Sequence, residues 1–193
     1  MKKQIERSIS ESTSIINDLI NIVPDIEKSI LEIIKTLKNG KKIVLFGNGG
    51  SAADAQHIAA ELVGHFKLDR DSLPAISLTA DTSVLTSIAN DYSYDQIFSR
   101  QCESLVSAGD LIIGISTSGN SKNVFNGLKL SKSLGAMTIG LLGNDGGIMK
   151  DIVDIPIIVK SSSTSKIQES HRVIYHIICN IVEIEMMNFS KKS

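Results

Sequence analysis

KIVLFGNGGSAADAQHIAAE, residues 42–61, starts as one kind of structure and finishes as another. Its first six residues are a short apolar run that closes on a glycine. The middle is glycine-rich, and the end sets small and apolar residues around His57 and Glu61. A strand, a loop and a helix thus follow one another. A strand that is apolar throughout is buried on both faces, the habit of a parallel sheet. Similar runs recur at PAISL (74–78), DLIIGIS (110–116), MTIGLLG (137–143) and DIPIIV (154–159). Each is too short for a buried helix, rich in Ile, Val or Leu, and bounded by turn residues. The intervals between them are long enough for helices. The alternation predicts an α/β doubly wound fold: a five-stranded parallel sheet flanked by helices in three layers, flavodoxin-like.

Helices are expected on either side of this core. Ile5, Ile9, Ile15, Ile16, Leu19 and Ile20 form a helical stripe over 1–23. Pro24 and Asp25 restart a helix to Asn39, with Ile26, Ile30, Leu31, Ile33, Ile34 and Leu37 as its apolar face and Gly40 as a stop signal. Residues 166–189 read as one long helix. SSSTS (161–165) leads into it, with Ser163, Thr164 or Ser165 available as N-cap. The length of 193 residues favours one domain over 1–193. Residues 1–39 would serve packing or oligomerisation, 42–160 the α/β core, and 166–189 the C-terminal helix.

Composition excludes several function classes. Hydrophobic residues make up 42% and charged residues 21%, a balance that belongs to globular rather than disordered chains. The net charge is −1, and the lysine pairs at 2–3, 41–42 and 191–192 are isolated, which argues against nucleic acid as a partner. No run of ~20 apolar residues exists to span a membrane. The opening MKKQIERSISES has no apolar core of the signal-peptide kind. Cys102 and Cys179 stand far apart in no metal or redox spacing, which suits a reduced, cytoplasmic compartment.

In a doubly wound sheet, ligands bind beyond the carboxyl ends of the strands. Two strand ends here carry the features of a ligand loop. The first runs into GNGGSAADA, and the unpaired N–H groups of a helix starting near Ser51 favour an anion. The second runs into STSGNS (116–121), three serines and a threonine in six positions, beside a helix start near Asn120 or Ser121. Hydroxyls and backbone amides suit a phosphate or a polyhydroxylated sugar. A single glycine-rich turn often binds nothing. Two at strand ends, one loaded with hydroxyls, point to a ligand. Neither is a dinucleotide fingerprint or a P-loop.

His57 and Glu61 lie one helical turn apart on one face. Such a pair on an exposed face is ordinarily just solvated. The flanking AQHIAAEL is small and apolar, so the helix is expected to pack, and ionisable groups there call for a partner or a metal. The last helix offers QESHRVIYH (168–176). Gln168 and His176 lie about 80° apart around the helix, and His171 and His176 about 140°. Both histidines cannot face one small site, and this geometry does not choose between them.

Together GNGGSAADAQHIAAE (47–61), NDYSYDQIFSRQ (90–101), GISTSGNS (114–121) and IQESHRVIYH (167–176) resemble the phosphoheptose isomerases of the sugar isomerase (SIS) domain superfamily. Each motif alone is weak; all four in this order and spacing are specific, and the resemblance covers nearly the whole chain. It implies an SIS-type fold and interconversion of sedoheptulose 7-phosphate and D-glycero-D-manno-heptose 7-phosphate, for the heptose of bacterial surface polysaccharides. It also implies one zinc ion per subunit, a cytoplasmic location, and a homotetramer with sites between subunits. The zinc ligands would be His57, Glu61, Gln168 and His176, so the resemblance selects His176 over His171. The phosphosugar would be held by Asn48, Gly49, Gly50, Ser51, Glu61, Asn90, Asp91, Ser116, Thr117, Ser118, Ser121 and Gln168.

Those residue types suit the implied chemistry. A ketose–aldose isomerisation moves a proton between C1 and C2 through an enediol or enediolate. Glu61 is the expected base and His176 its acid/base partner, with zinc either stabilising the oxyanion or organising the site. Two departures stand out: Lys166 where the family commonly has Arg, and His65 where several relatives have Arg. Two rivals share the resemblance. One is a non-catalytic binding protein of the replication-initiator-associating branch of SIS domains, placed second because the four-residue set is intact. The other is an isomerase of another phosphosugar, such as a hexulose phosphate.

Overall fold

Five parallel strands form one sheet: β1 (Ile43–Gly47), β2 (Ala75–Ser77), β3 (Leu111–Ser116), β4 (Met137–Gly143) and β5 (Ile155–Val159), in the order β2-β1-β3-β4-β5. The computed structural model describes residues 1–191, so the second lysine of the 191–192 pair lies outside the described residues. The doubly wound, flavodoxin-like fold expected from the apolar runs is the fold observed, and the strand bounds agree to within a residue or two.

Side chains alternate across the sheet, so each face has its own core. Ile43, Leu45, Ile113 and Ile157 face α2 (Val23–Lys38), α3 (Gly50–Val63) and α7 (Thr164–Ser190). Val44, Phe46 and Ile112 face α5 (Ser99–Leu105) and α6 (Lys122–Ser133), where Phe46 stacks on Phe98 at 4.9 Å between centroids. β1, β3 and most of β4 are buried throughout, as their composition implies. β2 departs from that expectation. It is an edge strand of three residues, and its Ile76 is exposed.

The first stripe is also divided differently. α1 (Lys2–Asp18) ends five residues early, and a 3-10 turn, Leu19–Ile22, leads into α2 with Pro24 in its first turn. Proline lacks the N–H that a continuous helix needs, so the chain must break just before it. α1 has no buried residue. Its polar anchor is Lys166, whose ammonium donates to Ser12 at 2.6 Å and Ser8 at 3.2 Å. Lys166 thus pins α1 to α7. Ser163 is the N-cap residue of α7, yet its hydroxyl makes no capping bond. Among the described residues no helix is long and apolar enough to cross a membrane.

Candidate active site

The sheet order reverses between β1 and β3, and a crevice opens at such a switch point. The two loops singled out in the sequence flank it. After β1 the chain turns at Gly49, whose φ of 56° and ψ of −120° are accessible to glycine alone at little strain. α3 then starts at Gly50, and Ser51 is buried. Asn48 uses its amide internally, exchanging hydrogen bonds with Asn123 of α6, so its backbone is what remains to meet a ligand.

After β3 the hydroxyls converge. Ser116 Oγ lies 3.1 Å from Ser121 Oγ and 3.5 Å from Ser118 Oγ. Ser121 is the N-cap residue of α6 without making a capping bond, so its hydroxyl stays in the cluster. Thr117 and Ser118 are partly exposed. Asn90 and Asp91 stand exposed at the end of α4 (Thr82–Asp91), where Asn90 donates to Asp91 at 2.8 Å. A cavity of about 740 Å³ adjoins the serine loop, lined by Ser118, Asn120, Asn144 and Lys160 among others. Its lining includes none of His57, Glu61 and His176.

Those residues meet between α3 and α7. His57, Glu61 and His176 place one ligand atom each within 4.8 Å of one another, an arrangement that could hold a metal ion. His57 Nε2 lies 2.8 Å from Glu61 Oε1, and the His57 and His176 rings meet edge-on at 5.3 Å between centroids. Two imidazoles and a carboxylate suit a borderline cation of the zinc type, which takes a fourth ligand besides these three. Burial, with the neighbouring His57, holds His176 below the ordinary histidine value, which favours the neutral, ligating form. Phe66 covers the His176 ring at 5.6 Å. Gln168 sits two turns before His176 on α7 and packs against Gly50, where a Cβ would collide with its amide nitrogen. Gln168 thus joins α7 to the glycine loop.

The other histidines lie apart from this group. His171 is fully buried, and its Nε2 is 3.1 Å from the Leu142 carbonyl of β4. Burial pushes it down to about 4, so it is neutral. His65 is exposed. Cys102 and Cys179 are buried thiols pushed up by burial to about 11 and about 12, too high to serve as nucleophiles near neutrality.

Several residues that frame the site escaped the sequence reading. Asp54 is buried one turn before His57 and accepts from Arg172 at 3.1 Å. Tyr175, beside His176, lies 3.1 Å from His57 Nδ1. The spacing of three between Asp54 and His57 was available as a signal. Glu183 of α7 accepts from the backbone N–H groups of Phe66, Lys67 and Leu68 at 2.7 to 3.0 Å and pairs with Arg70 at 3.2 Å. Arg70 in turn donates to the carbonyls of Glu61 and Leu62, closing the end of α3. No local spacing announces a contact between residues so far apart in the chain.

The SIS domain family matches residues 9–143. The phosphoheptose isomerase of Aliarcobacter butzleri is 57% identical over 161 residues, 83% of this chain and 85% of its own. The chain belongs to the phosphoheptose isomerase family. A second member of that family, from Clostridium acetobutylicum, is 52% identical over 186 residues, 96% of this chain and 94% of its own. The solved phosphoheptose isomerase of Neisseria gonorrhoeae superposes with a TM-score of 0.89 at 38% identity, covering 94% of this chain and 97% of that one.

Proposed function

We propose that this chain, an isomerase of the phosphoheptose isomerase family, interconverts sedoheptulose 7-phosphate and D-glycero-D-manno-heptose 7-phosphate through an enediol or enediolate. The reaction would be the first step towards nucleotide-activated heptose for bacterial surface polysaccharide, in the cytoplasm. The observation that carries this reading is the meeting of Glu61 with His57 and His176 on two packed helices, one of which begins at the glycine loop. Family membership at more than half identity supports it.

The roles follow from the chemistry. The hydroxyls of Ser116, Thr117, Ser118 and Ser121 and the backbone of Asn48, Gly49, Gly50 and Ser51 hold the phosphate end. Asn90, Asp91 and Gln168 contact the sugar hydroxyls. Glu61 removes the proton from one carbon, and His176 handles the proton at the oxygens. One zinc ion per subunit, held by His57, Glu61 and His176 with Gln168 as fourth ligand, would supply Lewis-acid stabilisation of the oxyanion. The exposed Ile5 and Ile9 of α1 and Ile177, Ile181 and Ile184 of α7 offer apolar faces for packing between subunits; the homotetramer with sites between subunits is the assembly that the resemblance to the family implies.

The test is an NMR assay with sedoheptulose 7-phosphate, with added zinc and after chelation. The expected result is an aldoheptose 7-phosphate signal that disappears in Glu61→Gln while the fold persists. A folded protein that turns over nothing in any metal state would sink the isomerase reading and favour a binding protein.

A further inference from the structure

His57 has a partner at each ring nitrogen. Nε2 lies 2.8 Å from Glu61 Oε1, and Nδ1 lies 3.1 Å from the Tyr175 hydroxyl. Tyr175 is only 1% exposed, and its oxygen has two further neighbours. It accepts from Arg172 Nε at 3.0 Å and lies 3.3 Å from Asp54 Oδ1. Asp54, 2% exposed, also accepts from Arg172 Nη2 at 3.1 Å. Arg172 therefore braces both groups.

A phenol has one proton to donate, and a carboxylate only accepts. Two complete arrangements follow. In the first, Tyr175 donates to His57 Nδ1, and His57 Nε2–H donates to Glu61. In the second, Tyr175 donates to Asp54, His57 donates Nδ1–H to Tyr175, and Nε2 turns a lone pair towards the space shared with Glu61 and His176. Only the second leaves Nε2 free to ligate. There, Nε2 and Glu61 Oε1 face each other as two acceptors, and a cation belongs between them. The proton count is the same in both. The proton lost from Nε2 is matched by one gained at Nδ1, so the exchange itself releases none.

We propose that Tyr175 is a positioning residue: its hydroxyl, anchored by Asp54 and Arg172, switches donation from His57 to Asp54 and so selects the His57 tautomer that opens Nε2 to a metal ion. This rests on the metal reading of the site given above. The frame and the donors share two helices. Asp54 precedes His57 by three residues on α3, and Tyr175 adjoins His176 on α7.

The first test needs no substitution. The chain is labelled with ¹⁵N-histidine, His57 is assigned through His57→Ala, and its nitrogen shifts are read without metal and with zinc. The expected result is Nε2–H in the metal-free protein and Nδ1–H in the zinc-loaded one. In parallel, zinc affinity is measured by chelator competition. Tyr175→Phe and Asp54→Asn are each expected to weaken it about 10–100-fold, the usual effect of losing a partner behind a ligating histidine. Should Tyr175→Phe not fold, Asp54→Asn and the spectrum of the unsubstituted chain still decide. Affinity unchanged within about twofold in the folded variants, or an unprotonated Nδ1 in the zinc-loaded protein, overturns the proposal alone. A parent chain that binds no zinc, or binds it equally well as His57→Ala, overturns the metal reading and the proposal with it.

Discussion

Asn48 and Asn123 exchange two amide hydrogen bonds, 2.8 and 2.9 Å long, across the point where the sheet order reverses. Tyr94 adds a third bond to Asn48 Oδ1 at 3.0 Å, and the Val124 N–H caps Asn123 Oδ1 at 2.9 Å. The glycine loop and the start of α6 are thereby held at one spacing. A cradle set in advance loses less entropy when a phosphosugar enters it.

Asn123→Ala removes this brace from a residue that is 2% exposed. It leaves Asn48 and the Val124 N–H without their partner, at a cost of about 1–3 kcal/mol. We expect a lower melting temperature and a KM that rises more than kcat falls. Steady-state kinetics with a melting curve checks both, and an unchanged KM would show that the brace does not shape the cradle.

Ser118→Ala and Ser121→Ala each remove one hydroxyl from the cluster around Ser116. A hydrogen bond to a charged group contributes about 1.5–3 kcal/mol, so KM should rise roughly 10–100-fold. Stability should hardly move for Ser118→Ala, since the residue is partly exposed and water can replace its hydroxyl as acceptor for the exposed Asn120 N–H. Competitive inhibition by inorganic phosphate, weakened in step with the rise in KM, would place the loss at the phosphate end.

His171 gives the fold a pH dependence with a definite sign. Burial lowers it from 6.5 to about 4. Between those values the unfolded chain binds a proton that the folded chain does not, so stability falls as pH drops from about 6.5 to about 4. The loss over that window is about 3 kcal/mol. In His171→Gln, whose amide can still donate to the Leu142 carbonyl, urea midpoints measured across this window should vary less with pH. An equal slope in parent and variant would assign the acid sensitivity elsewhere.

Glu183→Gln should destabilise the protein by about 3–5 kcal/mol, because it leaves the Arg70 guanidinium buried without its counter-charge. Burial raises the Glu183 carboxyl, but three backbone N–H donors and Arg70 outweigh burial and hold it below its ordinary value. Its contribution is therefore full above the ordinary carboxylate range and is lost as pH falls through the folded value. Activity should fall as well, since Arg70 also holds the Glu61 carbonyl at 2.8 Å. Thermal melts across acid pH, with kcat at neutrality, test the two halves separately.

The sheet was legible because β1, β3 and β4 advertise burial on both faces through unbroken Ile, Val and Leu. β2 was legible as a strand but not as an edge, since PAISL reads the same whether one neighbour covers it or two. The glycine and serine loops and the His57/Glu61 pair could be read because their members are close in sequence. The joining of His176 to that pair by geometry depends on how α7 packs against α3, which no local period encodes. The same limit hid Tyr175 and the clasp between Glu183 and Arg70, whereas Asp54, three residues before His57 on α3, carried a local signal. Lys166 was read as a substitute for an arginine, and its bonds to Ser8 and Ser12 show it fastening one helix to another.

The bare state of α1 makes that helix a gauge of assembly. With no residue buried, its amides in a separate subunit open by fraying and exchange hydrogen with solvent far sooner than those of the α7 core. A neighbouring subunit seated on the Ile5 and Ile9 face would slow that exchange by mass action. Deuterium uptake at α1, followed on dilution, would then report the fraction of dissociated chains with no label and no substrate, while uptake in the sheet stayed constant.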